Sequence, residues 1–205
     1  LSQREADGPQ HSISVDFNKP QLWRRKHNEL LTKPFGVRTG TPRYVIDATA
    51  GMGVDAFLLA QAGCQVTLIE RSPLIAALLE DGINRASQTP AIEAIAARMC
   101  LKQGDAITLL SSLASEQQPD IIYLDPMFPQ RNKSALPKKA MQSLQALVGD
   151  DRDQVELLGV ALQCARFRVV VKRHNKAKAI EGVEPTYSLH GKQIRYDVYV
   201  LRKLI

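Results

Sequence analysis

Short apolar segments alternate with stretches of helical pattern from residue 44 onward, and this alternation constrains the fold more than any other feature of the sequence. Tyr44–Asp47 reads as a buried strand, Val54–Ala62 as an apolar helix closed by Gly63, and Gln65–Glu70 as a second strand. Ser72-Pro73 supplies a cap and a first-turn proline for a helix that runs to about Ala86. Ala91–Arg98 reads as a short helix, Cys100–Lys102 as a brief third strand and Asp120–Asp125 as a fourth. Helices over 137–147 and 151–165 precede a fifth strand, Phe167–Lys172. Thr186–His190, a turn at Gly191 and the alternating run Ile194–Leu201 predict a closing antiparallel hairpin. Strands separated by helices imply a parallel sheet covered on both faces. The expected fold is therefore α/β: a doubly wound, Rossmann-like, mostly parallel seven-stranded sheet with a C-terminal antiparallel hairpin.

The first 40 residues stand apart from this pattern. Residues 1–18 are polar, with an Ile13-x-Val15-x-Phe17 alternation that suits a strand or an extended arm. Pro20–Lys33 reads as a helix with Trp23, Leu30 and Leu31 on its apolar face, stopped by Pro34 and Gly36. Two units are expected: an N-terminal arm and helix over 1–40, the remnant of a small subdomain, and a ligand-binding domain over 41–205. The chain opens on Leu1 rather than Met, so native residues are expected to precede it; the basic and apolar regions of a signal peptide are missing. No apolar run approaches the roughly 18 residues that cross a bilayer. Cys64, Cys100 and Cys164 lie far apart in apolar contexts and read as buried free thiols of a reducing cytoplasm, with neither a disulfide framework nor a zinc site.

The first strand runs into Asp47-Ala-Thr-Ala-Gly51-Met-Gly53-Val54-Asp55, where a helix opens. Glycines at such a turn let the backbone approach a ligand closely, and ligands of doubly wound sheets sit beyond the carboxyl ends of the strands. A nicotinamide dinucleotide would call for a third glycine, but Ala56 stands in that place. Two acids, Asp47 and Asp55, also sit where a pyrophosphate would have to lie. They suit a ligand carrying an ammonium and a sulfonium, as S-adenosylmethionine does. Glu70 ends the second strand, 23 residues after Asp47, where it can accept from ribose hydroxyls. Arg71 can cover the adenosine, and Asp105, in Gly104-Asp105-Ala106, can accept from the adenine amino group. Each acid alone could be a helix cap; four such elements in register favour the methyl donor.

The fourth strand ends in Asp125-Pro126-Met127-Phe128-Pro129, similar to the Asp-Pro-Pro-Tyr motif of amino-group methyltransferases, with Met127 in place of the second proline. An exocyclic amine on a base is a poor nucleophile because its lone pair is delocalised into the ring. The Asp125 carboxylate and the Pro126 carbonyl can accept its N–H groups and favour the pyramidal nitrogen that attacks. Proline fixes φ and removes a competing donor, and Phe128 offers a face for an extruded base. The bland alternative is a strand-ending turn with Phe128 in the core. A hairpin closing the sheet is characteristic of class I methyltransferases, and in that topology the motif gains weight.

With these runs, together with Leu68-Ile69-Glu70-Arg71-Ser72-Pro73, Lys133-Ser-Ala-Leu-x-Lys138-Lys139 and Arg168-Val-Val-Val-Lys172-Arg173, the chain resembles the ribosomal RNA small subunit methyltransferase J family over about residues 12–200. The resemblance implies guanine-N2 methylation of 16S rRNA, S-adenosylmethionine as cofactor, and cofactor contacts at Val54-Asp55, Glu70-Arg71, Ile107-Thr108 and Asp125. The family commonly has Arg at the position of Val54 and Ser at those of Ile107 and Thr108, so only backbone contacts carry over there.

Lys and Arg number 27 against 21 Asp and Glu, a formal surplus of +6 that permits a nucleic-acid partner without requiring one. Arg131, Lys133, Lys138 and Lys139 follow the Asp125 loop, and Lys172, Arg173, Lys176 and Lys178 follow the fifth strand. Both groups are expected to bind phosphates of rRNA or of the small ribosomal subunit, contacts that position rather than specify. Trp23 with Arg24 and Arg25 could add a stacking surface, although a core role suits Trp23 better. Other readings stay open: an amine of a DNA base or a protein glutamine as substrate, a non-catalytic RNA-binding module, or, more distantly, a nicotinamide oxidoreductase.

Overall fold

A computed structural model describes residues 13–23, 29–37, 42–126 and 153–204. Its seven-stranded sheet has the order β3-β2-β1-β4-β5-β7-β6. The strands are β1 Tyr44–Asp47, β2 Gln65–Glu70, β3 Met99–Gln103, β4 Ile121–Leu124, β5 Arg168–His174, β6 Tyr187–His190 and β7 Ile194–Val200. β1 to β5 pair in parallel, whereas β7 is antiparallel to both β5 and β6. The strand order reverses direction at β1, so β1 and β4 part at their carboxyl ends and leave a crevice there.

The central strands are buried on both faces, as a parallel sheet between helices requires. Val45, Val66, Leu68, Tyr123 and Val170 point into one core with Phe57 and Leu59 of helix α3, Val54–Gln61. Ile46, Ile69, Ile122, Val169 and Val171 point into the other core, with Leu110 of α6 (Ala106–Ser111) and Leu157, Leu158 and Ala161 of α7 (Gln154–Cys164). Two-residue alternation along each strand thus assigns every side chain to the α3 face or the α7 face.

Several elements differ in extent from expectation. Helix is found at α1 Pro20–Trp23 and α2 Glu29–Thr32, followed by a 3₁₀ turn over Lys33–Phe35; residues 24–28 between them lie outside the described residues. The helix at 137–147 lies there too. α5 is confined to Glu93–Ala96. β5 runs on through Arg173 and His174 because β7 pairs with it as far as His174↔Ile194, a long-range ladder that local propensity does not signal. The reading of three buried thiols is corrected: only Cys64 is buried, Cys164 is half-buried, and Cys100 is exposed because β3 is an edge strand.

The described part of the arm is tied to the main core. Phe17 stacks on Phe57 with ring centroids 4.9 Å apart, and both belong to the same cluster as Val15, Leu31 and Phe35. Arg85 of α4 (Pro73–Ser87) donates to the Val15 carbonyl. Beneath it, Gly82 lies so close to the arm that a Cβ there would stand 2.7 Å from Val15 Cγ1 and 2.9 Å from the Val15 carbonyl oxygen. Alanine in mid-helix would ordinarily gain about 1 kcal/mol over glycine. Here overpacking against a tethered backbone costs about 1–3 kcal/mol and prevails. Gly82→Ala is therefore expected to lower stability in denaturant unfolding; an equal or raised midpoint would contradict the packing of the arm.

Candidate active site

The site begins with a turn that glycine alone adopts comfortably. Gly51 and Gly53 both have left-handed backbones, with φ of 52° and 71°. A Cβ on Gly53 would meet Leu79 Cδ1 at 2.6 Å. Gly53 caps α3, whose first turn carries Asp55. Glu70, buried at the end of β2, clasps the loop: one oxygen accepts from Gly51 N–H at 2.9 Å and the other from Ser72 N–H at 2.7 Å. Thr49 fastens the loop to the tip of β4, its hydroxyl accepting from Asp125 N–H at 2.6 Å.

Alternation explains what else converges. Asp47 is two residues beyond Val45, Asp125 two beyond Tyr123, and Lys172 two beyond Val170, so all three fall on the α3 face. Lys172 Nζ lies 2.7 Å from Asp55 Oδ2 and 2.9 Å from Asp125 Oδ2. The buried Tyr123 hydroxyl donates to the same Asp55 oxygen at 2.7 Å. Burial lowers the proton affinity of the Lys172 ammonium, but Asp125 and Asp55 outweigh it and leave the group above the usual lysine range. Among the described residues, Asp47 is bonded to no cation. Burial, reinforced by the Asp55 and Asp125 charges against a hydrogen bond from Thr49 N–H, raises its carboxyl to about 8.

These groups line one cleft of about 310 Å³ at the carboxyl edge of the sheet. Of the residues singled out in the sequence, Asp47, Gly51, Gly53, Val54, Asp55, Glu70, Arg71, Asp105, Ala106, Ile107 and Asp125 all face it. Thr108 does not; it is exposed, and both its N–H and hydroxyl are donated to Asp105, which caps α6. Pro126 is buried and is not part of the lining, and Phe128, Arg131, Lys133, Lys138 and Lys139 lie outside the described residues.

Two assignments need correction. Lys172 is not a surface phosphate ligand, because both of its described contacts are carboxylates within the cleft. Arg173 falls on the opposite face, 5% exposed, and donates to Gln154 Oε1 at 3.1 Å and to the Lys178 carbonyl. Lys176 and Lys178 are exposed. The sequence reading also missed Asp153, which reaches across the cleft to within 3.5 Å of Arg71.

Among the described residues the lining contains six carboxyl groups (Asp47, Asp55, Glu70, Asp105, Asp125 and Asp153) and two cations, Arg71 and Lys172. Lys172 is committed to two of the acids. Such a donor set fits a cationic ligand with hydroxyl and amino groups, and it repels a pyrophosphate.

Sheet order, closing hairpin and acid-lined crevice together define a class I S-adenosylmethionine-dependent methyltransferase. The family model described as "Putative SAM-dependent methyltransferase" matches residues 1–201. Ribosomal RNA small subunit methyltransferase J of Stutzerimonas stutzeri is 49% identical over 100% of this chain and 80% of its own length. The protein of that name from Pseudomonas aeruginosa strain UCBPP-PA14 is 53% identical over 98% and 77%. The solved SAM-dependent methyltransferase NGO1261 of Neisseria gonorrhoeae is 39% identical, with a TM-score of 0.76 over 94% of this chain and 76% of that one. The chain belongs to the ribosomal RNA small subunit methyltransferase J family.

The Asp47 proton supplies a test. The folded, ligand-free protein holds it to about pH 8, whereas an ordinary aspartate releases it near 3.8. Stability from this group is therefore present at low pH and lost as pH rises from about 4 to about 8. A cationic ligand favours ionised Asp47, so S-adenosylmethionine binding near pH 7 should expel this proton. Calorimetry in buffers of different ionisation enthalpy is expected to show a proton release that Asp47→Asn removes. Equal proton counts for the two proteins would detach Asp47 from the ligand.

Proposed function

We propose that this protein methylates the exocyclic N2 amino group of a guanosine in small-subunit ribosomal RNA, working in the cytoplasm on the RNA or on the small ribosomal subunit. The observation that carries this reading is that Asp125, which follows directly on β4, lines the acid-rich cleft. The names of the relatives supply the nucleic acid. No helix among the described residues is long and apolar enough to cross a membrane.

When bound, S-adenosylmethionine supplies an electrophilic methyl group on a sulfonium. Asp47 and Asp55 hold its cationic end, Glu70 accepts from the ribose hydroxyls, and Arg71 covers the adenosine. Backbone groups at Val54, Ala106 and Ile107 complete the seat, and Asp105 accepts from the adenine amino group. Glu70 can do this while clasping the loop, since a carboxylate offers about four lone-pair sites and its two described bonds occupy two. The chain's own contribution at the target is alignment. The Asp125 carboxylate and the Pro126 carbonyl accept the amine N–H groups, and Phe128 stacks on the base. Arg131, Lys133, Lys138, Lys139 and Lys176 bind phosphates.

Mass mapping of small-subunit RNA from a strain lacking the protein is expected to show one N2-methylguanosine missing and restored by the wild-type gene. A fully methylated RNA in that strain would end the proposal, and a labelled methyl donor offered to RNA, DNA and protein pools would then locate the true acceptor. The basic loop is tested separately. Charge reversal at Lys138 and Lys139 should raise the KM for RNA by on the order of tenfold at physiological salt and leave cofactor affinity unchanged. An unchanged KM would take these lysines out of the interface.

A further inference from the structure

We propose that Lys172 is a positioning residue that acts through Asp125: it fixes the carboxylate as an ionised hydrogen-bond acceptor and suppresses its use as a base. The inference rests on the function proposed above. Its geometric ground is a three-way junction. β5 contributes Lys172, α3 contributes Asp55 and the end of β4 contributes Asp125, with contacts of 2.7 and 2.9 Å from one ammonium.

The junction is anchored on every side. Asp55 is steadied by the Tyr123 hydroxyl at 2.7 Å, and the Asp125 backbone by Thr49 at 2.6 Å. Tyr196 of β7 stands opposite Lys172 in the antiparallel register and is 1% exposed. Its burial, with Asp55 next in weight, holds the hydroxyl protonated far above neutrality, so it contributes no charge there. Among the described residues, Asp47 of β1 is the remaining acid facing the junction; it is neutral below about pH 8 in the ligand-free protein, and when the cofactor is bound its charge is answered by the cofactor's own cation. Lys172 is thus the counter-charge to two carboxylates, and its position is set from both.

The consequence is chemical. An ionised carboxylate accepts amine N–H groups more strongly than a protonated one, and a lysine within 3 Å favours the ionised form and fixes how it is turned. The same lysine weakens Asp125 as a proton acceptor. The nitrogen that gains a methyl group must give up one proton, and this proton leaves to water while Asp125 keeps its hydrogen bond.

Lys172 and Asp55 make opposite predictions for the acid limb of kcat/KM measured on small-subunit RNA from a strain lacking the protein. Lys172→Met should move the limb to higher pH by at least about one unit, costing on the order of tenfold in rate on the old limb, with recovery at higher pH. Lys172→Arg should restore the limb position. Asp55→Asn, which removes a competing carboxylate, should leave the limb in place or move it down. A uniform loss across all pH values in Lys172→Met and Asp55→Asn alike would mark the junction as merely structural and overturn the proposal. So would a limb that ignores Lys172→Met. The ¹³C titration of the Asp125 carboxyl, assigned with Asp125→Asn, needs no activity. It should rise by at least about one pH unit in Lys172→Met relative to wild type. That arm still decides the role of Lys172 if wild-type protein proves inactive on the RNA, an outcome that would sink the functional reading alone.

Discussion

The ion pairs that Lys172 makes with Asp55 and Asp125 let three carboxyl groups share one edge of the sheet. Crowded acids in a partly buried cleft repel, and each loses hydration on leaving water. The protein meets the difficulty in two ways. Asp55 and Asp125 gain a counter-ion, whereas Asp47, 2% exposed and not bonded to the lysine, retains its proton toward neutral pH. The result is a cleft whose charge responds to what enters it: a cation can be met by ionising Asp47, without dismantling the lysine junction.

Topology makes the convergence possible. Reversal of strand order at β1 places the ends of β1 and β4 side by side, and β5 lies next to β4 in parallel. Three adjacent parallel strands therefore deliver their terminal side chains to the same edge. Alternation selects which of them face α3, and α3 enters that edge through Gly53 carrying Asp55 in its first turn. Two features hold these parts in register at the ligand side, the clasp of Glu70 on Gly51 and the Thr49 contact with Asp125. Neither uses a side chain from the apolar cores.

The alternation of strands and helices made the sheet and its hairpin legible in the sequence, and glycines beside acids made the cleft legible. The residue at its centre was not. Val169-Val170-Val171 is apolar on both sides, and in such a run the two faces cannot be told apart by hydrophobicity. Lys172 and Arg173 consequently looked like neighbours in one basic patch, although adjacent strand residues point to opposite faces and these two sit in different halves of the molecule. Counting in twos from Tyr123 and Asp125 would have put Lys172 beside them, had the pairing of β4 with β5 been known. Asp105 illustrates a different ambiguity, since the residue that caps α6 is also the one that lines the cleft.

The same electrostatics explain why a loop so close in form to a dinucleotide-binding turn takes a different ligand. A helix N-terminus attracts anions through its unpaired N–H groups and the dipole behind them. Here the Gly51 N–H of the preceding loop is already donated to Glu70, and the acidic Asp55 sits in the first turn of α3, offsetting the dipole. Lys172 does not reverse this, because its charge is taken up by two carboxylates. An incoming phosphate would find the Gly51 donor taken and acids facing it, whereas an ammonium or sulfonium finds acceptors in place. Selectivity between the two ligand classes thus rests less on the missing third glycine than on where the loop's hydrogen bonds and charges have already been committed.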